Sequence, residues 1–254
     1  MEFDILTLFP EVLRSYFESS IMAKSVEKNL IRFNLVNIRD FAHDVHKTCD
    51  DAPYGGGAGM LMLPTVLDAA LSSVTAKKKR VVYLTPSGVP LTQNLCCQLA
   101  QEQNLVLICG RYEGIDQRII DEYVTDEISV GDYVLSSGDV AAMVLIDSVY
   151  RLIDGVISKE SLEEESFSHG LLEYPQYTRP EVFKGVNVPE VLLSGHHAKI
   201  AEWRLRKRVE KTLRFRPDLI ARDMANGSLP KEVRKIIDEI TACSRIRGTG
   251  KRRK

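Results

Sequence analysis

The sequence predicts an α/β fold with a mainly parallel β-sheet, followed by a small all-α domain at the C-terminal end. Through the first 157 residues, short apolar runs alternate with helical patterns at the spacing of βα units. The central runs, 80–85 and 104–109, are predominantly apolar, as in strands that are buried on both faces of a sheet. Helical spacing then dominates the last third of the chain. These patterns indicate two domains.

The first domain contains the predicted sheet. Pro10 begins a helix directly after the first strand, in the first helical turn where proline is tolerated. A loop dense in Asp and Gly, 42–60, follows the second strand. In chain order the predicted strands are 3–9, 31–38, 80–85, 104–109 and 123–130, and the predicted helices begin at residues 10, 66, 91, 115 and 140.

The second domain is predicted to be helical. Apolar residues recur at every fourth position from Ala201 to Leu213 with basic side chains between them, which predicts an amphipathic helix. Pro217 begins a second helix that Asn226 and Gly227 can cap, and Ser228 precedes a third. The predicted organisation is a sheet domain at 1–157, a flexible acidic linker at 158–172, a helical domain at 173–244 and a basic disordered tail at 245–254.

Charge is distributed unevenly along the chain. Residues 1–200 contain 17 basic and 28 acidic side chains, a net charge of −11. Residues 201–254 contain 17 basic and 7 acidic side chains, a net charge of +10. This polarity favours a polyanionic partner such as nucleic acid for the C-terminal part. A solvated basic surface would give the same pattern, so charge alone leaves the question open.

Composition argues against export, membrane insertion and a metal site. The longest apolar run, 140–146, is far shorter than the ~20 residues of a membrane helix. The acidic start of the chain is unlike a signal peptide, and five cysteines without a CxxC pair are typical of a reducing compartment. We therefore expect a cytoplasmic protein. His43, His46 and Cys49 have ligand-like spacing but lack a second ligand pair, so no metal site is predicted.

Three glycine-rich turns follow consecutive predicted strands, at 85–88, 110–114 and 131–138. Ligands of parallel sheets bind beyond the carboxyl ends of the strands, so these turns predict a ligand pocket. The GxGxxG and GxxxxGK[ST] fingerprints are absent, and the glycines of 55–59 follow a polar loop rather than a strand. A dinucleotide dehydrogenase and a P-loop NTPase are therefore disfavoured.

Six motifs resemble those of one family and occur in the same order. They are DDAPYGGGAGM at 50–60, YLTPSG at 83–88, GRYEGID at 110–116, GDYVL at 131–135, YTRP at 177–180 and SGHH at 194–197. From Met1 to about Ile240 the chain resembles the bacterial tRNA (guanine-N1-)-methyltransferases (TrmD), which are SPOUT methyltransferases.

The resemblance implies a fold, a reaction and partners. The C-terminal part of the sheet domain would be tied in a deep trefoil knot, and two subunits would form a homodimer with shared active sites. The implied reaction moves the methyl group of S-adenosylmethionine to N1 of guanine 37, in the anticodon stem-loop of tRNA. Neither DNA nor a membrane is an expected partner. The sequence leaves open whether magnesium assists turnover.

The resemblance also implies the residues of the cofactor site, which lie in the motifs of the sheet domain or, for Val130 and Gly138, beside one of them. They are Tyr83, Leu84, Thr85, Pro86, Gly110, Tyr112, Glu113, Val130, Gly131, Asp132, Tyr133, Val134, Leu135 and Gly138.

Two side chains are expected to act on the guanine. A base must accept the N1 proton, and a cation must stabilise the negative charge that grows on O6. By resemblance Arg151 supplies the cation, although a basic residue at a helix C-terminus is also favoured by the helix dipole. The family has aspartate before Ser-Phe in the linker, where this chain has Glu165. Glu165 is our candidate base, with its neighbours Glu163 and Glu164 as alternatives.

Two other functions remain open at this point. One is a non-catalytic tRNA-binding module on the same scaffold, and the other is a knotted methyltransferase that modifies another RNA position. The chain departs from the family pattern at Ala52, Ala58 and Ser137, and the last of these lies in a predicted cofactor turn. In the helical domain we expect Arg204, Lys207, Lys211 and their neighbours to contact phosphates, so that tRNA affinity falls steeply with salt.

Overall fold

The computed structural model describes residues 1–158, 161–162 and 164–249. The chain divides into two compact units, Met1–Ser158 and Lys159–Lys254. Among the described residues, no helix has both the length and the apolar character that a membrane crossing requires.

The first unit contains seven named strands and six α-helices. The strands are β1 (Glu2–Thr7), β2 (Arg32–Asn37), β3 (Asp50–Asp51), β4 (Leu61–Met62), β5 (Arg80–Pro90), β6 (Asn104–Ile108) and β7 (Asp126–Ser129). The helices are α1 (Pro10–Phe17), α2 (Ser20–Glu27), α3 (Pro64–Ser73), α4 (Gln93–Leu99), α5 (Gln117–Tyr123) and α6 (Gly138–Tyr150).

A five-stranded parallel sheet organises this unit, and it confirms the predicted α/β class. The strand order is β2-β1-β6-β5-β7, and every neighbouring pair is parallel. Successive residues of a strand pack into the hydrophobic cores on opposite faces of the sheet. Ile5 packs with α1 and α6, and Leu6 packs with α3. Because both faces are buried, the strands are apolar at consecutive positions rather than at alternate ones. The trefoil knot stays a prediction.

The strand boundaries lie within two residues of the prediction except at the end of β5 and the start of β7. β5 continues through Pro86 to Pro90, because it pairs with β7 at Leu84 and again at Val89 across a register shift. β7 begins only at Asp126, because Tyr123 is the last residue of α5, and its hydroxyl donates to Asp68 of α3 at 2.5 Å. Both differences arise from contacts with other elements.

The second unit is largely helical. Its helices are α7 (Glu190–Leu193), α8 (His197–Phe215), α9 (Pro217–Ala225) and α10 (Lys231–Thr249). Buried apolar residues of α8, α9 and α10 form its core together with Leu171 and Leu229. A hairpin of β8 (Val182–Phe183) and β9 (Val186–Asn187) departs from the predicted all-α class. Its two-residue strands are too short to produce an alternating pattern.

The helix ends of this unit differ in part from the prediction. Gly227 has a φ of +68° after Asn226, and Ser228 N–H donates to the Asp223 carbonyl at 3.0 Å, which closes α9 as the sequence suggests. The Ser228 hydroxyl also donates to the Asp223 carbonyl, so Ser228 belongs to the end of α9. α10 then begins at Lys231 and continues to Thr249, beyond residue 245, where we place the start of the disordered tail. Residues 250–254 lie outside the described residues.

Candidate functional site

A cleft of about 270 Å³ lies beside the register shift of β5 and at the carboxyl ends of β6 and β7. All of its lining residues belong to the first unit, and the glycine-rich turns supply most of them. The lining residues are 83–86, 110–114, 128–131, 133–138 and 141. The sheet therefore brings together three turns that are up to about 50 positions apart in the sequence, as expected for parallel strands whose carboxyl ends share one edge.

Direct backbone contact joins two of these turns. Gly138 N–H donates to the Gly110 carbonyl at 2.8 Å, which places the start of α6 against the end of β6. A Cβ atom on Gly138 would lie 2.7 Å from Gly110 N and 2.9 Å from Cys109 Cα. Only glycine allows this approach, because the neighbouring atoms belong to the backbone and no side chain can move aside.

Most of the predicted cofactor residues line this single cleft. Thirteen of the fourteen do so, and Asp132 is not among the lining residues. The structure adds lining residues that the prediction omitted, namely Arg111, Gly114, Ile128, Ser129, Ser136, Ser137 and Ala141. Arg111 and Gly114 could have been included, because they lie inside the quoted motif at 110–116. The assignment of these residues to a cofactor stays a prediction.

The cleft combines a buried apolar floor with an exposed rim. Tyr83 and Leu84 are 6% and 5% exposed, and Ile128 is fully buried. At the rim, Tyr133 and Val134 are 55% and 84% exposed. Burial raises the pKa of Tyr83 above its ordinary value, so its hydroxyl stays neutral at physiological pH. A flat, mainly apolar group could occupy the floor, with backbone groups of the turns providing polar contacts.

Ser137, one departure from the family pattern, fits its turn without strain. It is the N-cap residue of α6, with a φ of −159° and a ψ of 156°. Such extended backbone is open to any residue. The structure therefore removes the conformational objection to serine at this position.

The two candidate catalytic residues lie in different units. Arg151 is the half-buried C-cap residue of α6, the helix whose first residue, Gly138, lines the cleft. Glu165 is half-buried and belongs to the second unit. Neither residue is among those that line the cleft, and their roles stay predictions.

The neighbour of Glu165 is engaged in a side-chain cluster. Glu164 accepts a hydrogen bond from the Tyr174 hydroxyl at 2.5 Å, and Arg204 Nη1 lies 3.2 Å from both of its carboxylate oxygens. The Arg204 guanidinium also lies over the Tyr174 ring, 4.8 Å from its centre. Burial and the hydrogen bond to Glu164 raise the pKa of Tyr174 to about 12. Glu163 lies outside the described residues.

Several basic side chains of α8 already have acidic partners. Arg204 pairs with Glu164, Arg206 with Glu239, and Lys207 with Glu210 at 2.7 Å. Among the described residues, none forms an ion pair or hydrogen bond with the Lys211 ammonium group. Of the three predicted phosphate contacts, Arg204 and Lys207 are therefore paired with acidic side chains, and Lys211 is not paired with any described residue.

His43, His46 and Cys49, which have ligand-like spacing in the sequence, do not form a cluster of metal ligands among the described residues. Within the part of the chain that the structure describes, no group of three His, Cys, Asp or Glu side chains could hold a metal ion. The Cys49 thiol is buried and donates to the Lys47 carbonyl at 3.4 Å, whereas His46 is exposed.

Comparison with known proteins gives one consistent family. The family model described as tRNA (Guanine-1)-methyltransferase TrmD matches residues 1–222. A tRNA (guanine-N(1)-)-methyltransferase of Treponema denticola is 66% identical over 239 residues, covering 94% of this chain and 98% of that protein. Proteins of the same name from Treponema pallidum and Borreliella burgdorferi are 60% and 58% identical, over 94% and 86% of this chain and 96% and 92% of their own lengths.

Proposed function

Because the chain belongs to the tRNA (guanine-1)-methyltransferase family, we propose that it transfers the methyl group of S-adenosylmethionine to N1 of guanine 37 in tRNA. The observation that carries this proposal is the cleft formed by β5 at its register shift and by the carboxyl ends of β6 and β7. Thirteen residues that were chosen from family motifs alone converge on it.

The residues of the cleft fit S-adenosylmethionine. The cleft has a volume of about 270 Å³, just below the lower end of the range of ligand pockets, which is about 300 Å³. The apolar floor of Tyr83, Leu84 and Ile128 would hold the adenine ring, and backbone groups near Gly110 and Gly138 would bind its polar edge. When bound, this cofactor supplies an electrophilic methyl group on a sulfonium.

The chain itself must handle the guanine proton and charge. We assign proton acceptance from N1 to the carboxylate of Glu165. Glu164 is the alternative, and its carboxylate oxygens are contacted by Arg204 and Tyr174. The Arg151 guanidinium would donate to O6 and hold the base in line with the methyl group.

Arg151 is expected to contribute to turnover more than to cofactor binding. We expect Arg151→Ala to reduce kcat about 100-fold, because one charge-stabilising donor is lost. Arg151→Lys should lie between this variant and the wild type, since it keeps the charge but loses the planar fork. Steady-state kinetics with saturating tRNA would measure both. Wild-type kcat in Arg151→Ala would instead assign Arg151 to stabilisation of the α6 C-terminus.

We also propose that the protein is a homodimer. Val140 and Val144 are each 42% exposed and lie one turn apart on α6, and Val12 of neighbouring α1 is 48% exposed. A second copy of the chain would remove these apolar side chains from water. Light scattering should give twice the chain mass of 28.6 kDa. Since tRNA is the proposed substrate, we propose the cytoplasm as the site of action.

The decisive experiment is incubation of the purified protein with labelled S-adenosylmethionine and unmodified tRNA. The modified nucleotide is then mapped by mass spectrometry. We expect 1-methylguanine at position 37. Binding of tRNA without transfer would indicate the non-catalytic module, and a methyl group elsewhere would indicate another RNA position. A parallel titration with magnesium and a chelator decides whether the metal assists.

Lys211 is expected to matter more for tRNA binding than Lys207. Its charge has no acidic partner among the described residues, whereas Lys207 is paired with Glu210. We expect Lys211→Gln to weaken tRNA binding and to lower the slope of log K against log salt by about one unit. Lys207→Gln is the matched control on the same helix, with a smaller expected change. Equal slopes in the wild type and Lys211→Gln would contradict a phosphate contact at this position.

A further inference from the structure

Asp139 is a buried acidic side chain next to the cleft. It is the second residue of α6 and is 4% exposed. The other buried aspartate, Asp4, is compensated by the Lys79 ammonium group at 2.5 Å. Asp139 instead accepts a hydrogen bond from the Thr7 hydroxyl at 2.5 Å. Since burial of an acidic group is costly unless it is hydrogen-bonded, its partners explain why it is tolerated.

Cys109 connects the end of β6 to the end of β1. Its backbone N–H donates to the carbonyl of Leu6, the residue before Thr7, at 3.0 Å. Burial raises the pKa of the Cys109 thiol well above its ordinary value, and the charge of Asp139 raises it further, so the thiol stays protonated. The start of α6 adds the positive end of a 13-residue helix.

These contacts join three separate parts of the unit. Thr7 is the last residue of β1, Cys109 follows β6, and Asp139 lies at the start of α6. The last two are also the parts that meet where Gly138 donates to the Gly110 carbonyl. The end of β1 thus contacts both sides of this junction, through Leu6 and Cys109 on one side and through Thr7 and Asp139 on the other.

The β1 end makes a second contact with the same turns. The Thr7 hydroxyl oxygen also accepts from Phe9 N–H at 2.9 Å. The Arg111 guanidinium lies over the Phe9 ring, 4.7 Å from its centre, and donates to the Ser136 carbonyl at 3.0 Å. The segment 7–9 therefore supports the turns after β6 and before α6 from outside the cleft.

We propose that Asp139 and Thr7 are positioning residues for the methyl-donor cleft. Neither lines the cleft, so they act through neighbouring backbone. Their hydrogen bond ties the start of α6, with Gly138, to the end of β1, which also binds Cys109 next to Gly110. This inference rests on the proposed function of the cleft. It assigns to a buried polar pair a role in cofactor affinity in addition to stability.

Two substitutions of Thr7 separate affinity from stability. Thr7→Val keeps the shape of the side chain and removes the hydroxyl, whereas Thr7→Ser keeps the hydroxyl and removes a methyl group from a fully buried site. We expect Thr7→Val to weaken binding of S-adenosylhomocysteine, the demethylated product, about tenfold by titration calorimetry. Thr7→Ser should bind it as the wild type does, while thermal unfolding shows that it has lost stability.

The Asp139→Ala variant tests whether the two residues act together. It removes the acceptor of the Thr7 hydroxyl, so we expect a similar loss of affinity and a raised KM for the methyl donor. Adding Thr7→Val to Asp139→Ala should cost much less affinity than it does in the wild type, because the same bond is already absent. The KM for tRNA should remain unchanged in each variant.

The controls distinguish failure of this inference from failure of the proposed function. If the wild-type protein binds neither the methyl donor nor its demethylated product, the assignment of the cleft is wrong. If the wild type binds and Thr7→Val binds equally well, the cleft assignment stands and the positioning role is refuted. Leu71→Ala is the control for general destabilisation, because it truncates a fully buried side chain of α3. It should leave the affinity for S-adenosylhomocysteine unchanged.

Discussion

Gly138→Ala is expected to abolish measurable binding of the methyl donor in titration calorimetry. The added Cβ atom would lie 2.7 Å from Gly110 N and 3.0 Å from the Cys109 carbonyl carbon. These are backbone atoms at the end of a buried strand, so the start of α6 must move away from the turn after β6. A displacement of about 1 Å can cost about 100-fold in a positioned site. Both turns line the cleft, and so the cleft changes shape.

Gly155→Ala is the matched control for this glycine substitution. Gly155 has a φ of +88°, and an added Cβ atom would meet only Leu30 side-chain atoms, at 3.6 Å or more. We expect a loss of about 1–2 kcal/mol in the free energy of unfolding from the left-handed backbone, with cofactor affinity retained. If Gly138→Ala binds the cofactor normally, the close approach of Gly138 to Gly110 has no part in forming the site.

Glu165→Gln is expected to eliminate turnover while cofactor affinity stays at the wild-type value. The amide has nearly the shape of the carboxylate but cannot accept the N1 proton. A general base contributes about 100- to 10,000-fold to a rate, so activity should fall to the limit of detection. Single-turnover methyl transfer to unmodified tRNA measures the chemical step directly.

Glu164→Gln is the control at the neighbouring position. It weakens the contact with Arg204 and the hydrogen bond from Tyr174, and should destabilise the second unit. We expect it to retain most of the turnover. The reverse result, with Glu164→Gln inactive and Glu165→Gln active, would move the base by one residue. Near-normal turnover in both variants would exclude both residues as the base.

Glu165 is also one of the positions at which this chain departs from the family pattern. Glutamate is one methylene longer than the aspartate that the family pattern carries before Ser-Phe. The Glu165→Asp variant tests whether the linker has adapted to the longer side chain. Turnover below that of the wild type would indicate that the linker positions its carboxylate for glutamate.

The sequence alone determined the class of the fold and the location of the cleft. The predominantly apolar runs 80–85 and 104–109 predicted strands buried on both sides, because each face of a parallel sheet is covered by helices. The glycine-rich turns after the predicted strands 80–85, 104–109 and 123–130 predicted a cleft, because parallel strands have their carboxyl ends at one edge of the sheet. These are local patterns with one dominant physical explanation.

Only the tertiary structure decided the contacts that hold the cleft together. Asp139 reads in the sequence as an ordinary acidic residue at a helix start, and its partner Thr7 lies 132 positions away. The continuation of β5 past Pro86 and the end of α5 at Tyr123 likewise depend on β7 and α3. Hydrogen bonds between distant residues leave no periodic signal, because their geometry arises only when the strands and helices pack.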